Sequence, residues 1–257
     1  MGYIPLMLNV SDVDVLIIGG GEASWRRAGD FCRQGARVWQ ITADDCQEDQ
    51  LAGIDRHTLS LSPQQFLQQP LADSFSNIQS IKHFRLPWYF KFSYLKFIKP
   101  MWWRQFLLII PMSSETELNV GIAQAAGTAN VLVNAATPAI RRSICREKDR
   151  VGDASVPGTI CVELMAALRR GSLTIGIHSG GVPGLSRAIK QRVLTAVPQI
   201  WGEAADWLKA CREELLLREL SPTKRRTIMR HLTKLVDEAE GDLTAAKAYW
   251  SDIDKIR

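Results

Sequence analysis

The sequence predicts an α/β protein: a Rossmann-type, doubly wound parallel sheet first, then a small α+β unit, then a C-terminal helical module. Three observations predict it. A buried-strand pattern runs into three consecutive glycines and then into a helical pattern near the start of the chain. Apolar runs and helical stretches alternate as far as residue 137. Beyond Pro198 the apolar spacing is helical to the end.

In chain order, residues 13–18 form a short apolar run ending in Gly19-Gly20-Gly21. Residues 22–34 carry small or apolar side chains at 24, 28, 31 and 32, the spacing of one helix face, and Gly35 closes that helix. Residues 36–42 make a second strand, so this unit needs a parallel crossover. Two further strands are predicted at 106–110 and 130–133, flanking a helix over 115–126. Residues 137–158 are polar, basic and broken by Pro138, Gly152, Pro157 and Gly158, which predicts an exposed loop with one or two helical turns at most. Residues 160–169 read as helix, 173–178 as strand and 185–197 as an amphipathic helix. The tail shows one stripe at Trp201, Ala204, Leu208, Cys211 and Leu215 and another at Ile228, Leu232, Leu235 and Ala239, separated by Ser221-Pro222. The expected domains are 1–137, 138–197 and 198–257.

Composition narrows the class without choosing a ligand. A chain of 257 residues, 46% of them hydrophobic, buries a sizeable core, and a net charge of +5 is too mild to single out an anionic partner. The five cysteines form no C-x-x-C pair and no cysteine–histidine spacing of the zinc type, so no metal site is expected and the thiols read as reduced and mostly buried. The first ten residues lack the basic start and small-residue cleavage site of a signal peptide. In 84–112, Arg85, Lys91, Lys96, Lys99 and Arg104 interrupt the aromatics too often for a spanning helix. A cytoplasmic protein without transmembrane segments is expected.

The chemistry is concentrated in Gly19-Gly20-Gly21-Glu22-Ala23-Ser24, which fits G-x-G-x-x-small between a strand and a helix. Gly19 permits a tight turn, Gly21 lets backbone approach a pyrophosphate, and small Ser24 lets the helix pack on the sheet. The free N–H groups of the helix start then face the phosphates, so a dinucleotide is the expected ligand. The second strand ends Gln40-Ile41-Thr42-Ala43 rather than in the usual ribose-binding acid, with Asp44 and Asp45 just beyond. Thr42 or Asp44 is assigned the ribose, and because no arginine follows at once, NAD is favoured over NADP.

Tyr3-Ile4-Pro5-Leu6, the glycine turn, Arg26-Arg27 and Gly35-Ala36 open a pattern that resumes at Glu117-Leu118-Asn119, Val133-Asn134 and Gly171-Ser172-Leu173-Thr174-Ile175. It continues through Ser179-Gly180-Gly181, Leu185-Ser186-Arg187 and Arg225-Arg226. In this order the motifs resemble the precorrin-2 dehydrogenase and sirohydrochlorin ferrochelatase family, which includes the amino-terminal module of siroheme synthase. The resemblance implies an NAD domain, a small dimerisation domain and a helical tail, with two subunits enclosing a tetrapyrrole. It implies oxidation of precorrin-2 to sirohydrochlorin with NAD and, in some members, insertion of Fe2+. It places Ser113 and Ser114 beside the nicotinamide, and Asn134, Ser179, Gly180 and Arg187 near substrate.

One departure bears directly on activity. Where the family carries an aspartate three residues after its asparagine, this chain reads Asn134-Ala135-Ala136-Thr137, and threonine accepts no proton near neutral pH. Asp153, in the Gly152-Asp153 pair that re-enters the family pattern, is the acid expected to replace it, with Asp149 the alternative. Arg141, Arg142 and Arg187 are expected to meet substrate carboxylates. His178 lies beside the Ser179-Gly180-Gly181 turn, where imidazole either takes pyrrole protons or passes a metal, or is an ordinary loop histidine. Three functions stay open: dehydrogenase first, then ferrochelatase, then a non-catalytic carrier of tetrapyrrole.

Half of the chain's aromatics lie in the acid-free stretch 84–106, interleaved with cations. That composition suits single-stranded nucleic acid, an acidic membrane interface or a flat polycarboxylate macrocycle. We favour a locally packed insertion with exposed lysines, then docking to a partner enzyme, and expect no nucleic-acid partner.

Overall fold

The computed structural model describes residues 4–43, 55–60, 80–86, 100–134, 137–144 and 160–253. Its contacts fall into two units, residues 1–164 and 165–257.

The first unit is built on a parallel sheet. β1 (Asp14–Ile18) is followed by α1 (Glu22–Cys32) and β2 (Arg37–Ala43), and β3 (Asp55–Ser60) and β4 (Ser80–Leu86) extend the sheet on the far side of β2. A short helix, α2 (Pro100–Trp103), leads to β5 (Leu108–Pro111), α3 (Thr116–Thr128), β6 (Leu132–Asn134), α4 (Pro138–Ile144) and β7 (Cys161–Val162). The strand order is β3-β4-β2-β1-β5-β6-β7, and every ladder is parallel. β1 is the hinge of this order, with its first connection running to one side and β5 arriving on the other.

Alternation along β1 assigns its side chains to the two faces. Val15 and Ile17 pack with Trp25, Ala28 and Cys32 of α1, whereas Leu16 and Ile18 pack with Leu118, Ile122 and Ala126 of α3. The strand is therefore buried on both faces, which is why it reads as a continuous apolar run. Arg37 and Trp39 of β2 both donate to the Asp14 carboxylate, at 2.7–3.0 Å, and pin the register that sets Ile18 opposite Ile41.

Part of the aromatic-basic segment proves to be core. Trp102, Trp103 and Phe106 are at most 8% exposed and sit in the core with α3, Trp102 packing edge-on against both of the others, while neighbouring Met101, Arg104 and Gln105 are exposed. Residues 84–86, the start of the same segment, belong to β4. Residues 87–99 lie outside the described residues.

The second unit opens with an antiparallel hairpin, β8 (Ala166–Arg170) and β9 (Leu173–Ile177). This corrects the helix expected over 160–169. Apolar residues at 160, 164 and 168 satisfy helical i, i+4 spacing, but 162 and 166 complete an alternation of period two, and pairing of β7 with distant β6 and of β8 with β9 across a tight hairpin selects it. α5 (Pro183–Ala196) follows and buries no residue. α6 (Ile200–Leu217), α7 (Pro222–Glu238) and α8 (Thr244–Ser251) share a core of Ala204, Cys211, Leu215, Ile228, Leu232 and Val236, as the two stripes anticipated except that Val236 replaces Ala239. Ser221 caps α7 by accepting the Lys224 N–H, with Pro222 at the first helical position.

Cys161 is disulfide-bonded, which corrects the expectation of reduced thiols at that position. Cys32 and Cys211 are free and buried, and burial pushes the Cys211 thiol up to about 11. Among the described residues no helix is long and apolar enough to cross a membrane.

Gly202 joins α6 to the hairpin. A Cβ there would stand 2.5 Å from the Arg170 carbonyl carbon, and backbone cannot rotate away. Gly202→Ala is expected to lower stability by about 1–3 kcal/mol through overpacking, outweighing a helix-propensity gain of about 1 kcal/mol. A melting temperature equal to or above the parent's in calorimetry would contradict this close approach.

Candidate dinucleotide site

The site begins where β1 runs out. Gly19 donates its N–H to the Ile41 carbonyl at 2.9 Å and then turns with φ of +145°, a backbone region that belongs to glycine. A Cβ at Gly19 would lie 2.4 Å from the Met112 carbonyl oxygen, so the β1–α1 turn and the end of β5 touch backbone to backbone. The Gly19 carbonyl accepts two buried donors, the Ser24 hydroxyl at 2.9 Å and the Gln40 amide at 2.9 Å. Ser24 thus does more than stay small: its hydroxyl, which also reaches the Gly21 carbonyl at 2.7 Å, closes the turn.

Gly21 differs from Gly19 in both conformation and space. Its φ is −76° and nothing lies within 4 Å of where a Cβ would be. Gly20 is half-buried, while Gly21, Glu22 and Ala23 are exposed at the start of α1, where the first amides of any helix lack intrahelical acceptors.

The opposite wall is the turn after β5. Asn119, buried on the first turn of α3, accepts from the Ser113 N–H at 3.0 Å and hydroxyl at 2.8 Å and donates to the Ser113 carbonyl at 2.8 Å. Ser113 is thereby fixed beside the glycine turn, with Ser114 exposed next to it. Sequence reasoning noted Asn119 only as part of a motif and missed this clamp. It also passed over Gln40, whose polar side chain inside a buried strand was the available signal. Thr42, assigned the ribose, ends β2 and is 1% exposed. Asp44, the alternative, lies outside the described residues.

Asn134 and Thr137 sit at the end of β6, beside β5. Asn134 is 4% exposed and donates to the Val162 carbonyl at 3.3 Å, a bond across the β6–β7 pair. Thr137 is the N-cap of α4: its hydroxyl accepts the Ile140 N–H at 3.3 Å ahead of Pro138. Arg141, expected to meet substrate carboxylates, is instead ion-paired with Glu163. Arg142, Asp149 and Asp153 have no described side chains.

The remaining residues belong to the second unit. His178 is exposed after β9. The Ser179 hydroxyl donates to the Val182 carbonyl at 2.6 Å and accepts from the Ser186 hydroxyl at 2.5 Å, while Gly180 and Gly181 turn at φ of +62° and +87°. Arg187 is exposed on α5. The first unit therefore brings Gly19, Gly20, Gly21, Glu22, Ala23, Ser113 and Ser114 together, and in the second unit His178, Ser179 and Gly180 follow one another after β9, with Arg187 on the helix that comes next.

The residues present fit a dinucleotide. The crevice lies outside the C-terminal ends of β1 and β5, where the strand order changes direction, the place such folds bind ligands. Gly19 supplies the backbone approach and Gly21 the vacant space a pyrophosphate needs. The Gln40 side chain is fully buried beneath the turn and holds it from below through the Gly19 carbonyl, its Oε1 having no hydrogen-bond partner among the described residues. Fold and site together define the class of dinucleotide-binding α/β proteins.

Comparisons carry this to a family. Residues 6–143 match the family model NAD_binding_7, described as "Putative NAD(P)-binding", and the chain belongs to that family. It is 22% identical over 230 residues to a siroheme synthase from Nitrosospira multiformis, covering 88% of this chain and 38% of that protein. The chain thus spans well under half of that relative's length. Among solved structures it is similar to SirC, precorrin-2 dehydrogenase, with a TM-score of 0.57 and 16% identity, covering 98% of this chain and all of that one. Both relatives bear the names of the family that the motifs resemble.

Proposed function

We propose that this chain oxidises precorrin-2 to sirohydrochlorin with NAD. The observation that carries the reading is the Gly19–Gly21 turn, backed on Met112 and open at Gly21, in a chain similar along its length to a precorrin-2 dehydrogenase. When bound, NAD accepts a hydride, and substrate also gives up a proton, so substrate is oxidised by two electrons. This chain's residues bind and orient: Gly21, Glu22 and Ala23 offer amides to phosphate, Ser113 and Ser114 flank the nicotinamide, and Asn134, Ser179, Gly180 and Arg187 contact the tetrapyrrole. NAD is preferred to NADP because no arginine directly follows Thr42.

The subunit reading keeps the three expected parts, an NAD domain, a dimerisation and substrate domain and a helical domain ending the chain, working in the cytoplasm, with α4 and β7 counted to the first because they complete its sheet. Leu185 and Ile189 of α5 are 51% and 37% exposed, apolar surface that a second copy would cover. A second reading is favoured by one observation: the Thr137 hydroxyl is already the acceptor of a helix cap. In it the scaffold is a ferrochelatase, with Fe2+ as substrate and His178 handling protons, or a carrier that passes tetrapyrrole on.

The test is anaerobic mixing of purified protein, precorrin-2 and NAD, followed by Fe2+, with the mass in solution measured by light scattering. Sirohydrochlorin absorbance appearing before iron, from a species of twice the chain mass, is the expected result. Product only after iron is supplied to preformed sirohydrochlorin would select the second reading, and a strict monomer would remove the two-subunit cleft.

A further inference from the structure

The charges along α1 pair off with one exception. Arg26 pairs with Glu22 at 3.8 Å, and Arg33 pairs with Asp30 at 2.8 Å. Arg27, between them, is half-buried and has no ion pair or hydrogen bond among the described residues. Burial pushes its guanidinium below the ordinary value, Asp30 opposes that through space and Arg26 adds to it. A partly desolvated cation without a partner is costly, and folds keep such groups where something else neutralises them.

Helix geometry indicates what that is. Residue 27 stands one turn above Ala23, and helical side chains lean toward the N-terminus. The climb from Ala23 to Arg27 is about 6 Å, a span that an arginine covers. Ala23 presents only a methyl group in that lane, and Gly21 presents nothing. An arginine stem leaning that way has the length to reach the helix start, where Gly21, Glu22 and Ala23 are exposed.

Resting on the dinucleotide reading above, we propose that Arg27 binds the cofactor's pyrophosphate, so that a side-chain cation joins the backbone amides and supplies the charge partner α1 lacks. The contact is to phosphate, not to adenine or ribose. It also gives the unequal neighbours Arg26 and Arg27 different tasks, the first closing an exposed surface pair and the second waiting for ligand.

Binding of NAD, ADP-ribose and adenosine to the parent, Arg27→Met and Arg27→Lys, measured by calorimetry at two salt concentrations, tests this. Methionine keeps the stem and removes the charge, so thermal stability without ligand is expected to be unchanged or higher. Affinity for NAD and ADP-ribose should fall by about 10- to 100-fold in Arg27→Met, the range of a lost charge-assisted bond. Lysine should restore part of it, and adenosine binding should not move. Unchanged NAD affinity in Arg27→Met, beside a parent that binds tightly, overturns the assignment of Arg27 and leaves the dinucleotide site standing. An equal loss for adenosine also overturns it, because the effect would then be structural. A parent that binds neither NAD nor ADP-ribose would overturn the dinucleotide reading itself.

Discussion

Gly21→Asp is expected to remove NAD binding from a protein that still folds. The backbone at Gly21 has φ of −76°, which any residue adopts, and the space around its Cβ position is open to 4 Å. The new side chain therefore meets no protein atom; it enters the volume assigned to pyrophosphate and brings a like charge. Such a juxtaposition costs on the order of several kcal/mol, so affinity should fall at least about 100-fold. Gly19→Ala, two residues earlier, should behave in the opposite way. Its methyl would meet the Met112 carbonyl at 2.4 Å, in a backbone conformation with φ of +145°, and the combined strain and overpacking should cost roughly 2–4 kcal/mol of stability. Calorimetric unfolding and NAD titration on the two variants separate the effects. A Gly21→Asp protein with parental melting and parental affinity would show that the cofactor does not sit at this turn.

Asp153→Asn is expected to lower the rate of sirohydrochlorin formation by about two to four orders of magnitude, the contribution of a positioned proton-transfer group. NAD affinity should hold. The expectation follows from the chemistry of position 137, where the family's carboxylate is replaced by a hydroxyl that the structure commits to capping α4 through the Ile140 N–H. Aspartate caps helices as well as threonine does, so Thr137→Asp should fold normally while restoring an acid at the family's position. Added to Asp153→Asn, it should return a large part of the lost rate. Full activity in Asp153→Asn would remove that residue from the reaction. Lost activity without rescue would leave Asp153 in place and show that position 137 does not face the substrate.

The features legible in the chain were those decided between near neighbours. The turn from β1 into α1 could be read because glycine chemistry, an apolar strand and a helix face lie within some twenty residues. The Ser221-Pro222 start of α7 could be read for the same reason, since a cap and its amide are three residues apart. The helical stripes of the tail followed from periodicity alone.

What the tertiary structure decided required partners distant in sequence. β3, Asp-Arg-His-Thr-Leu-Ser, has little strand character of its own and exists by pairing with β4, while β4 lies between it and β2. Residues 160–169 satisfied two periods at once, and for 161–162 only pairing with β6, 28 residues away at Val133↔Cys161, chose between them. Arg141 looked like a cation free for substrate until the fold set Glu163 beside it. Gly19 could be recognised as a turn residue from the sequence, but that no other residue fits there depends on Met112, which the parallel β1–β5 pairing brings against it. Backbone conformation and capping are short-range constraints, written wherever the residues stand; charge pairing, strand choice and close backbone approach are set by which segments the sheet makes neighbours.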